Sequence, residues 1–222
     1  MIFTSVPKLF CRPGVRHEVG DILSSLLSTR MGKSSPMGNV AIVTDPGVRK
    51  LGLTQDVEKC LQNLNLEPHV FDGVVEDPPE SVVLDLQKFV VDRNCVAVIG
   101  VGGGSSLDTA KLGAYLGAKP NQELSDCYGV GNITGQRLPL VQVPTTSGTG
   151  SEVTGIAIVT TGASEKKGIV SSELYGDCVI LDGELTLSVP PKVTAATGID
   201  AMVHAIEALT SRHLKNPLSD VL

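Results

Sequence analysis

The stretch that most constrains this chain covers residues 96–111 and reads VAVIGVGGGSSLDTAK. An apolar, β-branched run containing Val96, Val98, Ile99 and Val101 ends in Gly102, Gly103 and Gly104, and a helical pattern begins at once. Leu107, Ala110 and Ala114 fall at i, i+3 and i+7, so this helix has a face to pack back on a sheet. Strand, glycine turn and helix N-terminus, in that order, aim backbone N–H groups at a phosphate. Glycine tolerates the close approach and the positive φ angles that a Cβ resists. Ser105 and Asp108 have the spacing of a capping box, which predicts that the helix starts at Ser105. The spacing is not GxGxxG, because Ser105 stands where the third glycine would be. A tight βα turn with no ligand is therefore the plain alternative for this stretch taken alone.

The flanking segments extend the same architecture. Residues 3–10, 39–44 and 69–71 read as strands, and residues 18–29, 53–64 and 81–93 as helices. Strands alternating with helices over short connections imply βαβ units and a parallel sheet, with ligands beyond the carboxyl ends of the strands. Asp45 stands just past the strand at 39–44, where a carboxylate can hold ribose hydroxyls, or can simply cap the next helix. Downstream, a buried-type strand at 138–143 leads into PTTSGTGSEVT (144–154), rich in hydroxyls and small residues. That composition suits a loop packed on a polar ligand, and equally a linker. Lys166 and Lys167 then precede an apolar pair, and residues 179–182 resemble another strand end.

The paired prolines of SVPP (188–191) mark the clearest boundary. Beyond them, residues 195–211 read as a helix capped by Thr197 or Gly198, with Met202, Val203, Ile206 and Leu209 on one face. Asp200 and His204, at i and i+4, project together. They can supply half of a divalent metal's shell, with Glu207 orienting the imidazole, or form a solvated pair. His17, His69 and His213 lack such a partner and read as surface or core histidines.

Composition narrows the classes. The chain has 222 residues, enough for a real core, and a net charge of −6 with no long basic run, which argues against nucleic acid or an anionic membrane as partner. Aromatic residues make up 3% of it, too few for base-stacking platforms. No apolar stretch approaches the roughly 18 residues of a membrane span. Cys11, Cys60, Cys95, Cys127 and Cys178 show no CxxC and read as buried free thiols in a reducing compartment. Lys8, Arg12 and Arg16 precede the first acid, Glu18, but proline and glycine there fit a first strand better than an import peptide, and the cytoplasm is the expected location.

Four stretches read together, VTDPG (43–47), GGGSSLDTAK (102–111), PTTSGTGSEVT (144–154) and ATGIDAMVHAIEA (196–208), resemble the iron-containing (group III) alcohol dehydrogenase family over nearly the whole chain. The resemblance implies an α/β class: a parallel-sheet dinucleotide-binding domain over residues 1–188, then the beginning of an all-helical metal-binding domain over 189–222, either part of a longer protein or a naturally shortened form. By it, Asp45 holds the adenosine ribose and favours NAD over NADP, while Gly103, Gly104 and Ser105 take the pyrophosphate. Thr145, Thr146 and Thr149 lie along the nucleotide, Lys167 near it, and Asp108 toward the nicotinamide. Asp200 and His204 are the first two ligands of a catalytic Fe(II), with Zn as the alternative metal, and two further histidines lie outside this sequence. Asp77 departs from the family's usual Asn and adds a negative charge near the cofactor ribose. The implied activity is metal-dependent, NAD-linked hydride transfer between a small alcohol and its aldehyde or ketone, in a chain that admits homo-oligomers. A non-catalytic NAD-binding module with half a metal site is the alternative of a different class. A zinc-dependent glycerol enzyme or a lyase on the same architecture is a third.

Overall fold

The computed structural model describes residues 5–32 and 37–210. The chain runs β1 (Leu9–Cys11), α1 (Val19–Met31), β2 (Gly38–Val43), α2 (Pro46–Lys50), α3 (Gln55–Gln62), β3 (Leu66–Phe71), α4 (Glu80–Asp92), β4 (Cys95–Gly102) and α5 (Gly104–Gly117). It continues through β5 (Gly129–Val130), β6 (Leu140–Pro144), β7 (Ile156–Thr161), β8 (Glu165–Val170), β9 (Cys178–Leu181) and α6 (Pro191–Thr210).

Six strands form one sheet in the order β1-β9-β6-β4-β2-β3, every pairing parallel. Its two faces follow from alternation along the strands. Val40 and Ile42 of β2, with Ala97, Ile99 and Val101 of β4, pack with Leu23 and Leu27 of α1 and Val57 and Leu61 of α3. Ala41, Val43 and Val98 face the other way, against Leu86 and Val90 of α4 and Ala110 and Ala114 of α5. Burying a central strand on both faces needs apolar residues at every position, which is what VAVIGV supplies. β4 thus sits mid-sheet, and the glycine turn opens on its carboxyl edge. A smaller sheet, β5-β8-β7, stands apart over a third cluster that includes Leu112, Tyr115 and Leu116.

The sequence expectations need five adjustments. The first strand begins at Leu9, past Pro7, and residues 1–4 lie outside the described residues. The helix expected over 53–64 is preceded by the separate turn-and-a-half of α2, which Asp45 caps and Pro46 starts. The hairpin β7–β8 is antiparallel, and so belongs to a second, mixed sheet rather than to the parallel one. α6 starts at Pro191, whose fixed φ suits a first helical turn, so Thr197 and Gly198 lie inside the helix rather than at its cap. Cys11 is exposed and Cys60 half-buried, whereas Cys95, Cys127 and Cys178 are buried. Ser211, His213 and the rest of 211–222 lie outside the described residues.

Candidate active site

The turn between β4 and α5 is set by sterics. Gly102 has φ +152, and a Cβ there would lie 2.7 Å from both Cβ and Oγ of Ser106. Its carbonyl accepts a hydrogen bond from the N–H of Thr145 at 2.9 Å, which ties the glycine turn to the loop after β6. The capping box does not form: Gly103 is the N-cap, and no side chain caps α5. Its first-turn N–H groups, which have no intrahelical acceptor, are left facing the cavity that Gly103, Gly104, Ser105 and Ser106 line. Small residues and free donors at the positive end of a helix dipole are what a phosphate requires. The turn can hold a phosphate group.

Asp45 caps the next helix and also reaches toward the glycine turn. One carboxylate oxygen accepts from the N–H groups of Gly47 at 2.8 Å and Val48 at 3.0 Å, capping α2. The other accepts from the Ser106 hydroxyl at 3.4 Å and lies beside the glycine turn. The cavity here has a volume of about 580 Å³ and is lined by Asp45, the turn, Thr145, Thr146 and Thr149, with Val193 and Thr197 from α6. α6 can come this close because residue 148 is glycine: a Cβ would sit 2.2 Å from the Thr197 carbonyl oxygen.

A second cavity, of about 1050 Å³, carries Asp108, Ser151, Ile156 and Ile158 on one side and Asp200 and His204 on the other. Glu76, Gly104, Ser105 and Thr149 line both cavities, so they form one continuous cleft. His204 Nε2 lies 3.6 Å from the Asp200 carboxylate, and both side chains are about half exposed, at 51% and 43%. An imidazole and a carboxylate at this spacing suit two positions of a divalent shell. Among the described residues, no third His, Cys, Asp or Glu joins them.

Two of the expected residues have partners within the protein. Asp108 spends both oxygens inside the protein: one takes the Lys111 ammonium at 2.9 Å and the Ser151 hydroxyl, the other the Ile158 N–H at 3.1 Å. Lys167 lines neither cavity of the cleft, and its ammonium sits 5.6 Å from the centre of the Tyr128 ring. Its neighbour Lys166 lines the second cavity instead and pairs with Asp77 at 2.7 Å, which offsets the charge this sequence carries in place of the usual Asn. In strand β8 successive side chains alternate, so only one of the two lysines can face the cleft.

Lys111 was legible only as the last letter of a motif. It is fully buried, and its ammonium also reaches the Ser151 and Thr154 hydroxyls and the Ile156 carbonyl, at 3.0, 3.3 and 2.6 Å. Burial pushes its pKa down, and Asp108 opposes that shift. Burial likewise raises the Glu152 carboxyl in the same loop, with Lys111 opposing. The i, i+3 spacing of Asp108 and Lys111 was the one available signal of this pin.

The family profile for iron-containing alcohol dehydrogenases matches residues 7–183. This chain belongs to the iron-containing alcohol dehydrogenase family. A long-chain-alcohol dehydrogenase of Geobacillus thermodenitrificans is 42% identical over 190 residues, 83% of this chain and 47% of that protein. The crystal structure of a 1,3-propanediol oxidoreductase superposes with a TM-score of 0.87 at 32% identity, covering 99% of this chain and 55% of that one. A sulfoacetaldehyde reductase of Bifidobacterium kashiwanohense, solved in complex with NAD+, superposes with a TM-score of 0.82 at 29% identity, over 95% of this chain and 54% of that one. The chain thus spans about half the length of the family members it matches. The family's α/β dinucleotide-binding fold is the fold described above.

Proposed function

We propose that this chain supplies the cofactor-binding half of an NAD-linked, Fe(II)-dependent alcohol dehydrogenase acting on small alcohols and, in reverse, on aldehydes or ketones. The observation that carries the proposal is the continuous cleft, with the glycine turn and Asp45 at one end and the Asp200–His204 pair at the other. The division between a dinucleotide domain (1–188) and the start of a metal-binding helical domain (189–222) follows the same cleft, since α6 forms its far wall.

In this scheme Gly103, Gly104 and Ser105 hold the pyrophosphate through backbone N–H groups. The Asp45 oxygen that does not cap α2, which accepts one long hydrogen bond from Ser106, would also accept from the adenosine ribose hydroxyls and repel a 2′-phosphate, which favours NAD over NADP. Thr145, Thr146 and Thr149 line the path toward the second cavity. Fe(II), when bound, supplies Lewis-acid chemistry that favours loss of a proton from the alcohol hydroxyl. Asp200 and His204 would hold it from α6, and Zn suits the same two donors. The protein contributes positioning and exclusion of water, with no covalent nucleophile among these residues.

Because only two metal-binding side chains meet among the described residues, the chain by itself also supports a second reading, an NAD-binding module without catalysis. One pair of measurements separates the two. NADH fluorescence titration, with no Trp in the chain to interfere, should show binding that Asp45→Ala weakens. Turnover of the full protein should be abolished by His204→Ala with NADH binding intact. Turnover that survives His204→Ala removes the metal assignment.

Free thiols at all five cysteines accord with a cytoplasmic setting. No helix among the described residues is long and apolar enough to cross a membrane. Among the described residues β1 ends the sheet with one side unpaired, which is a route to homo-oligomers that sedimentation can test.

A further inference from the structure

Strand β7 presents two different faces. Ala157 and Val159 are buried in the core, while Ile156 and Ile158 are 41% and 45% exposed on the opposite face. A strand face that meets only solvent carries polar residues; this one carries two large apolar side chains at i and i+2. Both line the second cavity, together with Val153. They form an apolar floor in the chamber that holds Asp200 and His204.

The charges in that chamber are strongly one-sided. Among the described residues, Glu76, Asp77, Asp108, Asp200 and Glu207 line it, against the single cation Lys166. Lys166 is engaged by Asp77, and Asp108 by Lys111. A divalent ion on Asp200 and His204 would offset Asp200. Glu76 and Glu207 still face the chamber without a cationic partner among the described residues.

We infer that this chamber selects uncharged aliphatic alcohols and disfavours alcohols or aldehydes that carry a carboxylate or sulfonate. The inference rests on the dehydrogenase reading above. An alkyl chain laid on Ile156 and Ile158 gains from each methylene removed from water. An anionic substrate there loses hydration against an apolar floor and meets carboxylates of its own sign.

The test compares 1-butanol with 4-hydroxybutyrate, which has the same carbon skeleton, using the full protein loaded with Fe(II) and NAD. We expect kcat/KM for 1-butanol to be higher by about tenfold or more, with the gap narrowing as salt is raised. Ile158→Lys should shift the ratio toward the anion by about tenfold, and Glu207→Gln should shift it the same way by less. Glu207 lies on the exposed helix α6, so that variant keeps the test open if Ile158→Lys does not fold. A readout without turnover is the binding of butyramide against succinamate to the NADH-loaded protein, followed by NADH fluorescence. Equal rates, a preference for 4-hydroxybutyrate, or a ratio that neither variant moves overturns the inference alone, provided NADH binds. Failure of NADH to bind overturns the dehydrogenase reading and this inference with it.

Discussion

At the nucleotide end of the cleft, Gly102, Thr145, Ser106 and Asp45 are held by hydrogen bonds to one another, on a sheet buried on both faces. At the metal end, Asp200 and His204 project from α6, a helix with no buried residue, whose Ile199, Met202, Ile206 and Leu209 are 56% to 65% exposed. The first end is preorganised by this chain's own core. The second has the donors but little packing behind them, and a site rigid enough for catalysis needs its side chains locked by neighbours. The contrast sets a turn held by the core against a donor pair held by little but its own helix.

The strongest way to break that contrast is to remove the pin that ties α5 to the loop and strand along the second cavity. Lys111→Ala takes the buried cation from Asp108, which keeps only the Ser151 hydroxyl and the Ile158 N–H, and releases the Ile156 carbonyl, so it should cost about 3–5 kcal/mol in urea denaturation. A loss under about 1 kcal/mol would mean the loop is held by something else.

The next largest effect marks where the firm region stops. Asp182, buried at the end of β9, accepts from the N–H groups of Gly14, Arg16 and Glu184 and pairs with the Arg16 guanidinium at 2.9 Å. Just beyond it, Leu187 is 82% exposed. Asp182→Ala should cost about 2–3 kcal/mol by orphaning those donors. Burial alone would raise the Asp182 pKa, but the hydrogen bonds from Arg16, Gly14 and Glu184 outweigh it and hold the carboxyl below its usual range. The folded pKa lies below the unfolded one, so this stabilisation is fully present above the ordinary carboxylate range. It is lost as pH falls through that range toward the depressed folded value. Acid denaturation of Asp182→Asn should therefore show a shallower pH slope there; an unchanged slope would remove Asp182 as the source.

Gly102→Ala tests the turn itself. The added Cβ meets Ser106, at a φ that residues with side chains rarely adopt, so we expect about 1–3 kcal/mol of destabilisation. NADH affinity should fall by about tenfold as Ser106 and the first turn of α5 shift, a loss of about 1.4 kcal/mol in binding. Normal affinity in a destabilised variant would separate the turn's fold from its binding role.

How much of this was legible in the sequence follows the same divide. Local chemistry showed the strand–glycine–helix unit and the parallel sheet, because both rest on periodicity and turn residues close together in the chain. The four motifs led to the family. Distant partnerships were not legible. Ser105 and Asp108 had capping-box spacing, yet Asp108 is taken by Lys111, Ser151 and the Ile158 N–H, from a loop and strand 43 and 50 residues away. Lys166 and Lys167 are adjacent, and only strand pairing decides which of them faces the cleft. Pro190 and Pro191 looked like a break, but Pro191 is a helix start, since a first-turn position needs no N–H.

The smallest expected effect sharpens the comparison most. His204→Ala removes a side chain that is half exposed and pairs with Asp200 at 3.6 Å, so stability should change by no more than about 0.5 kcal/mol. NADH affinity should also stay unchanged, because His204 lines only the second cavity. Metal binding should nonetheless fall sharply, measured as uptake of Fe(II) or of Co(II) by its visible absorption, since losing one of two donors on α6 leaves Asp200 alone. A variant with normal stability, normal NADH binding and lost metal shows two ends that share a cleft but are built independently. If His204→Ala weakens NADH instead, α6 and the glycine turn are coupled through their contact at Gly148 and Thr197, and the metal end is part of the firm region after all.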